Sequence, residues 1–286
     1  MPEGRLRPHL PDLLVEPIVR LTLTEDLGHA GDLTSQACIP ETARLRVAWT
    51  ARRPGVLSGL ACARLALHAL APDAGFEALA QDGEAVAPGQ VLARAEGSAR
   101  AILSSERTGL NLMGRLSGVA TLTRAYVDAV EGTGVRITDT RKTTPGLRRL
   151  EKYAVRCGGG VNHRFGLDDA ILIKDNHVAA CGGVSPALER ARAAAGHLVK
   201  VELEVDSLDQ LAEALLFPPD VIMLDNFSLD DLRMAVAMTA GRVTLEASGG
   251  VDLNTVREIA ETGVQVISIG ALTHSAPALD IGLDAG

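Results

Sequence analysis

Aromatic residues are scarce: one Trp, two Tyr and four Phe occur in 286 residues. Proteins that stack on nucleic-acid bases need several rings on one surface, so this is not expected to be the chain's main business. Ala, Val, Leu and Ile must fill its core instead. Positive charge is also short, with 28 Lys and Arg against 36 Asp and Glu, a net of −8. That balance disfavours wrapping DNA or lying on an anionic membrane. No long apolar run is present. The longest uncharged stretch, residues 262–279, is broken by Gln265, Ser268, Thr273, His274, Ser275 and Pro277 and makes a poor membrane span. The opening Met-Pro-Glu-Gly-Arg-Leu carries an acid and lacks an apolar segment, so no secretory signal is expected. Cysteine is limited to Cys38, Cys62, Cys157 and Cys181, with no C-x-x-C pair. Neither a zinc site nor a disulfide framework is expected, and the thiols fit a reducing cytoplasm.

Lysine is the scarcest cation, with four Lys beside 24 Arg. Where Arg is the default, a Lys marks a place that needs a compact ammonium. Three of the four, Lys142, Lys152 and Lys174, fall within residues 136–177 with six Arg, against five acids. This basic island in an acidic chain points to a small anionic ligand.

What is present in quantity is apolar periodicity, 47% of the chain being hydrophobic. From Val135 onward, β-type runs begin at Val135, Ile171, Leu198, Val221, Val243 and Val264. After the first interval they start 21 to 27 residues apart. Helical patterns lie between them, over 186–195, 208–216, 229–239 and 253–262. A strand and its crossover helix need about this length, so the pattern predicts parallel βα units, evenly spaced as in a barrel. The first 130 residues read differently. They suggest a helix over 12–26 stopped by Gly28, strands over 44–49 and 56–59, and a helix over 60–71. A hairpin over 82–93 and a long helix over 104–130 follow. The expected α/β fold is an N-terminal α+β sandwich domain, residues 1–130, to which the C-terminal tail returns, followed by an open α/β (TIM-like) barrel over 131–286.

In a parallel barrel the strands' C-terminal ends face one mouth, where catalytic groups sit. Those ends carry Asp139 with Arg141 and Lys142, Lys174 with Asp175, Glu204, Asp225, Glu246 with Ser248, and Gly270. Ser248-Gly-Gly250 and Gly270 each precede a helix start, the arrangement that binds phosphate through backbone N–H groups. Arg141 and Arg164 offer forks that match carboxylates, and His163 can donate beside them. The glycines 158–160 would let a flat ligand approach the backbone. Glu204 and Asp225 suit either Mg²⁺ or a developing positive charge on a sugar. An ion pair with a lysine is the plainer job for them, as a structural job is for His177.

Nine segments carry a resemblance. They are Thr138-Asp-Thr-Arg-Lys-Thr-Thr-Pro-Gly-Leu-Arg148, Glu151-Lys-Tyr-Ala-Val155, Cys157-Gly-Gly-Gly160, Asn162-His-Arg164, Ile173-Lys-Asp-Asn-His177, Glu202-Leu-Glu-Val-Asp-Ser207, Leu224-Asp-Asn-Phe227, Glu246-Ala-Ser-Gly-Gly250 and Gly270-Ala-Leu-Thr-His274. Together with Ser105-Glu-Arg-Thr-Gly-Leu-Asn111, they resemble the quinolinate phosphoribosyltransferase family along essentially the whole chain. The resemblance implies transfer of phosphoribose from phosphoribosyl pyrophosphate to quinolinate with loss of CO₂, on the route to NAD. It also implies Mg²⁺ and a homodimer in which Arg107 reaches the partner's site. By the same carry-over, Arg141, His163, Arg164 and Lys174 hold the quinolinate carboxylates. Lys142, Glu204 and Asp225 address the ribose, pyrophosphate and metal, with Lys142, Lys174, Glu204 and Asp225 as the catalytic set and Thr140 as a further substrate-binding residue. Ser248, Gly249, Gly250 and Gly270 receive the 5′-phosphate, and Ala271 and His274 are further substrate-binding residues. Gly109 stands where the family usually has a bulkier residue, and Ala247 where it has Ser or Thr. A paralogous phosphoribosyltransferase of the molybdenum-operon type and a non-catalytic phosphate sensor are the alternatives.

Overall fold

The structure, a computed structural model, describes residues 8–286. The opening six residues, where no signal segment is expected, lie outside them. The elements run α1 (Asp12–Leu27), α2 (Leu33–Cys38), β1 (Arg44–Ala51), β2 (Gly55–Val56), α3 (Leu60–Leu70), β3 (Gly75–Ala78), β4 (Ala85–Val86), β5 (Val91–Ser98) and α4 (Ala99–Ala129). Then come β6 (Arg136–Thr138), α5 (Arg148–Cys157), β7 (Ile171–Ile173), α6 (Asp175–Cys181), α7 (Val184–Ala194), β8 (Val201–Val205) and α8 (Leu208–Ala214). The last are β9 (Val221–Asp225), α9 (Leu229–Thr239), β10 (Thr244–Ser248), α10 (Val256–Ala260), β11 (Val266–Ser268), α11 (Ala271–His274) and β12 (Ile281–Ala285). No helix among the described residues is long and apolar enough to cross a membrane.

The chain divides into two compact units that are not consecutive stretches. The first takes the residues up to Arg124 together with Thr143–Gly159 and Leu272–Gly286; the second takes Ala125–Lys142 and Gly160–Ala271.

In the first unit an antiparallel sheet has the order β12-β1-β5-β3, so the chain's last strand pairs with its first. Its core is built from small and aliphatic side chains around Trp49, whose ring meets Phe76 with centroids 5.3 Å apart. The hairpin expected over 82–93 does not form. β4 pairs with β2, whereas β5 pairs with β1 and β3. The turn residues are real, but each arm finds a partner distant in sequence. Asp82, just before β4, has its own task. Its carboxylate accepts the backbone N–H groups of Gly59 and Leu60 and the Tyr153 hydroxyl at 2.9, 3.2 and 2.8 Å. It thereby caps α3, whose own cap residue is a glycine.

Close approach to α4 explains several glycines in this unit. A Cβ on Gly109 would stand 3.3 Å from the Ala63 backbone of α3, so the missing side chain lets the helices approach. A Cβ on Gly158 would come within 2.5 Å of Ala120 O and of the Thr123 side chain. That glycine serves packing against α4 rather than admitting a flat ligand, which corrects part of the expectation for 158–160.

The second unit is a parallel six-stranded sheet of order β6-β11-β10-β9-β8-β7. Its strands are the six apolar runs read from the sequence, with ends shifted by a few residues. Two of the crossover helices start where a serine side chain satisfies an open N–H: Ser207 accepts from Gln210 N before α8, and Ser228 accepts from Asp231 N before α9. Beyond β6, Val161 makes a parallel bridge to Thr138. The edges formed by β6 and β7 are not paired with each other, which gives an open barrel.

Candidate active site

Strand register decides which side chains share a face. In parallel strands, paired residues point the same way and every second residue returns to that face. Glu204 pairs with Met223, and Met223 with Glu246. Asp225 pairs with Ser248, and Ser248 with Ser268. Lys174 lies one step past β7, two residues beyond Leu172, which pairs with Glu202. Lys174, Glu202, Glu204, Asp225, Glu246 and Ser248 therefore line one face towards the strands' C-terminal ends. The Lys174 ammonium is hydrogen-bonded to the Glu204 carboxylate, the ion pair anticipated as the plainer job for that acid.

The sheet curls so that this face is concave. His163 follows the Val161 bridge at the β6 edge, and β8 is four strands away. In a flat sheet that would be about 19 Å. Nevertheless His163 Nε2 lies 3.0 Å from Glu202 Oε2 on β8 and 3.7 Å from Glu246 Oε1 on β10. Both carboxylates are buried. Burial, then the charge of Glu202, raises the pKa of Glu246 above the ordinary glutamate range, and His163 offsets part of this.

The turn bearing His163 is built by a fully buried acid. Asp139 accepts from Asn162 Nδ2 at 2.6 Å and from His163 N at 3.0 Å. Arg164 N then donates to His163 Nδ1 at 2.8 Å. One arm of the Arg164 guanidinium donates to Ala170 O at 3.0 Å, while its Nε–H is buried without an acceptor. The Arg164 pKa is lowered, first by burial and next by the neighbouring positive charge of Arg141, with Glu202 and Asp169 opposing. A partly desolvated guanidinium with a second positive charge acting on it suits an incoming carboxylate.

Beside them, Thr140 Oγ1 accepts from the Lys142 amide at 3.0 Å, and the Lys142 side chain is exposed. The 248–250 turn is tied to the end of β9. Asn226 N donates to Ser248 O at 2.8 Å, and Asn226 Nδ2 donates to Asp225 Oδ2 at 2.8 Å. Asn226 has a positive φ of 56°, as do Gly249 at 93° and Gly250 at 63°. Gly270 and Ala271 follow β11 at the start of α11. Arg107, exposed on α4, and His274, exposed at the end of α11, belong to the first unit. His177 Nδ1 accepts the Lys174 amide at 2.9 Å, a structural task at the start of α6.

Asp139, Glu202 and Glu246 were visible in the sequence only as strand-end or motif residues, with no partner to name. Asn226 stood in the sequence only as a member of the Leu224–Phe227 segment, with no role of its own. Its signal was the strand-end Asp-Asn placed opposite Ser248-Gly-Gly250.

Two family models match the chain in order. The quinolinate phosphoribosyl transferase N-terminal domain covers residues 32–117, and the C-terminal domain of the same family covers residues 119–284. The chain is 48% identical over 271 residues to the nicotinate-nucleotide pyrophosphorylase [carboxylating] of Mycobacterium leprae, covering 93% of this chain and 95% of the relative. It is 46% identical over 260 residues to the probable enzyme of the same name from Bacillus subtilis, covering 91% and 89%. Among solved structures, it is similar to the nicotinate-nucleotide pyrophosphorylase from Francisella tularensis, with TM-score 0.93 and 38% identity over 99% of this chain and 100% of that one.

Proposed function

The chain belongs to the quinolinate phosphoribosyltransferase family, and from that membership we propose how its residues carry out the reaction. The protein transfers phosphoribose from phosphoribosyl pyrophosphate to the ring nitrogen of quinolinate. It releases pyrophosphate and CO₂ and forms nicotinate mononucleotide for NAD biosynthesis.

Arg141 and Arg164 receive the quinolinate carboxylates, and the buried Arg164 Nε–H is a donor that such a carboxylate satisfies. Thr140 and Lys142 stand beside them for the pyrophosphate and ribose. Glu204 and Asp225, on one face of adjacent strands, stabilise the positive charge that develops at the anomeric carbon as its bond to pyrophosphate breaks. Lys174, paired with Glu204, is placed to balance electron density that appears at ring C2 as CO₂ leaves. The 248–250 turn, with Gly270 and Ala271, receives the 5′-phosphate through backbone N–H groups. Positioning and fixed charge supply the rate, and no covalent nucleophile is needed.

Glu204 and Asp225 also fit Mg²⁺, because their hard oxygen donors suit an ion that completes its shell with water and substrate phosphates. When bound there, the ion would neutralise charge on the departing pyrophosphate. Arg107 is assigned to the partner's site in a homodimer, where its exposed guanidinium adds a third cation to the acceptor. All four cysteines are free, in keeping with a reducing cytoplasm.

The single observation that carries this reading is Arg164, a partly desolvated guanidinium with an Nε–H that meets no acceptor and with the positive charge of Arg141 acting on it, a setting that a carboxylate ligand suits. Purified protein with Mg²⁺ and phosphoribosyl pyrophosphate is to be given quinolinate or nicotinate, and nicotinate mononucleotide followed by chromatography. Product from quinolinate alone is expected; product from nicotinate alone would overturn the acceptor assignment.

A further inference from the structure

His163 has no ring nitrogen to spare. A backbone N–H can only meet a bare nitrogen, so the Arg164 amide, 2.8 Å from Nδ1, requires that Nδ1 carry no hydrogen. The hydrogen of the neutral ring then sits on Nε2 and points at Glu202 Oε2, 3.0 Å away. Both nitrogens are engaged inside the protein, so a direct donation to quinolinate, as expected from the sequence, does not fit this geometry. The same residues make a continuous connection. Glu202 orients the ring, the ring holds the Arg164 amide, and Arg164 carries a guanidinium whose buried Nε–H meets no acceptor.

We propose that Glu202, backed by Glu246, is a positioning residue for the acceptor: it fixes His163 as the Nε2–H tautomer and through that ring sets the Arg164 fork for a dicarboxylate. The inference rests on the acceptor reading above. Two further features support it. Glu202 lends its charge to Arg164, opposing the repulsion from Arg141. Glu246 Oε1, buried and without a hydrogen bond, lies 3.7 Å from the same Nε2, so a second acceptor stands behind the first and keeps the ring's hydrogen on that side.

A metal ion is the competing occupant, since His163, Glu202 and Glu246 place ligand atoms within 4.8 Å of one another. Metal ligation needs a bare Nε2. With Nδ1 already taken by an N–H, the ring would have to release Arg164 to provide one. The Arg164 contact therefore argues for a hydrogen-bonded positioning chain over a metal centre.

The test joins a spectroscopic and a kinetic readout on the full-length protein. Nitrogen-15 NMR of the imidazoles, with His163 assigned by its loss in His163→Gln, is expected to show a protonated Nε2 and a bare Nδ1 at neutral pH. Added Zn²⁺ is expected to leave that pattern unchanged. Glu202→Ala is expected to mix the tautomers and to raise KM for quinolinate about tenfold or more, a loss of the size seen for one charged hydrogen bond. KM for phosphoribosyl pyrophosphate should stay within about twofold, as removing an acceptor-side contact predicts. Glu202→Gln, which keeps an oxygen for the Nε2–H, is expected to recover most of the acceptor affinity. A hydrogen on Nδ1 in the unmodified protein, a Zn²⁺-dependent change at His163, or equal rises in both KM values would each overturn the proposal. The tautomer is read without turnover. A bare Nδ1 in a protein that makes no product from quinolinate would thus place the failure in the acceptor reading instead.

Discussion

Lys174 Nζ is hydrogen-bonded to the carboxylate of Glu204, the residue that aligns with it two strand positions past the Leu172–Glu202 pair. The ammonium is half-exposed while its partner is largely buried, so the pair belongs to the concave face and not to the outer surface. The two groups form one unit whose charges the substrates must share.

Coupling follows from that. Lys174→Ala and Glu204→Gln should each lower kcat by about two orders of magnitude, the usual cost of losing a preorganised charge at the reacting centre. The double variant should be little worse than the more damaged single one, because residues that act together are not additive. A double-mutant cycle on kcat checks this, and strict additivity would show that the two act separately.

Arg141→Ala should raise KM for quinolinate by about ten- to a hundredfold, corresponding to about 1.5–3 kcal/mol for a hydrogen bond to a charged group. KM for phosphoribosyl pyrophosphate should change far less. Equal effects on the two substrates would remove Arg141 from the acceptor's side of the site.

The 248–250 turn offers a contrast between neighbours. A Cβ on Gly249 would lie 2.2 Å from Asn226 Oδ1 at a φ of +93°, whereas one on Gly250 would meet nothing within 4 Å at +63°. Gly249→Ala should displace Asn226 and raise KM for phosphoribosyl pyrophosphate severalfold or more. Gly250→Ala should carry only a backbone penalty of about 1 kcal/mol. Parallel kinetics of the two variants decide it; an equal response would separate the turn from the phosphate.

Glu246 predicts a pH dependence of stability. Its pKa is raised in the folded state by burial and by Glu202, so between the unfolded value, about 4.3, and the raised value the folded protein holds more proton than the unfolded one. Its contribution is therefore favourable at acid pH and is lost as pH rises through the raised pKa. Glu246→Gln should flatten that part of the profile and gain stability relative to the unmodified protein on the alkaline side. Denaturant unfolding across the acid-to-neutral range measures it, and a relative gain on the acid side would reverse the sign.

Legibility in the sequence followed the reach of each interaction. The six strands of the parallel sheet were readable because each carries β-type apolar residues at strand spacing, even β8, where Glu202 and Glu204 alternate with Val201, Leu203 and Val205. The 82–93 segment misled because turn residues say that the chain bends, not which strand its arms join. α5 escaped notice because the charged Glu151 and Lys152 sit among its buried residues and break the apolar pattern. In the site, Arg141, Lys174 and Glu204 declared themselves by residue type at strand ends, and Arg164 as a second fork after the glycines 158–160. Their arrangement did not. That Glu202 faces His163 depends on a sheet curling across four strands, and that Gly158 serves α4 depends on a helix more than 30 residues earlier.

The most direct measurement uses quinolinate labelled in its 2-carboxyl group, with phosphoribosyl pyrophosphate and Mg²⁺, counting labelled CO₂, pyrophosphate and nicotinate mononucleotide in one reaction. The account predicts all three in equal amounts. Nucleotide that retains the label, or CO₂ released without pyrophosphate, would contradict decarboxylating phosphoribosyl transfer as the work of this site.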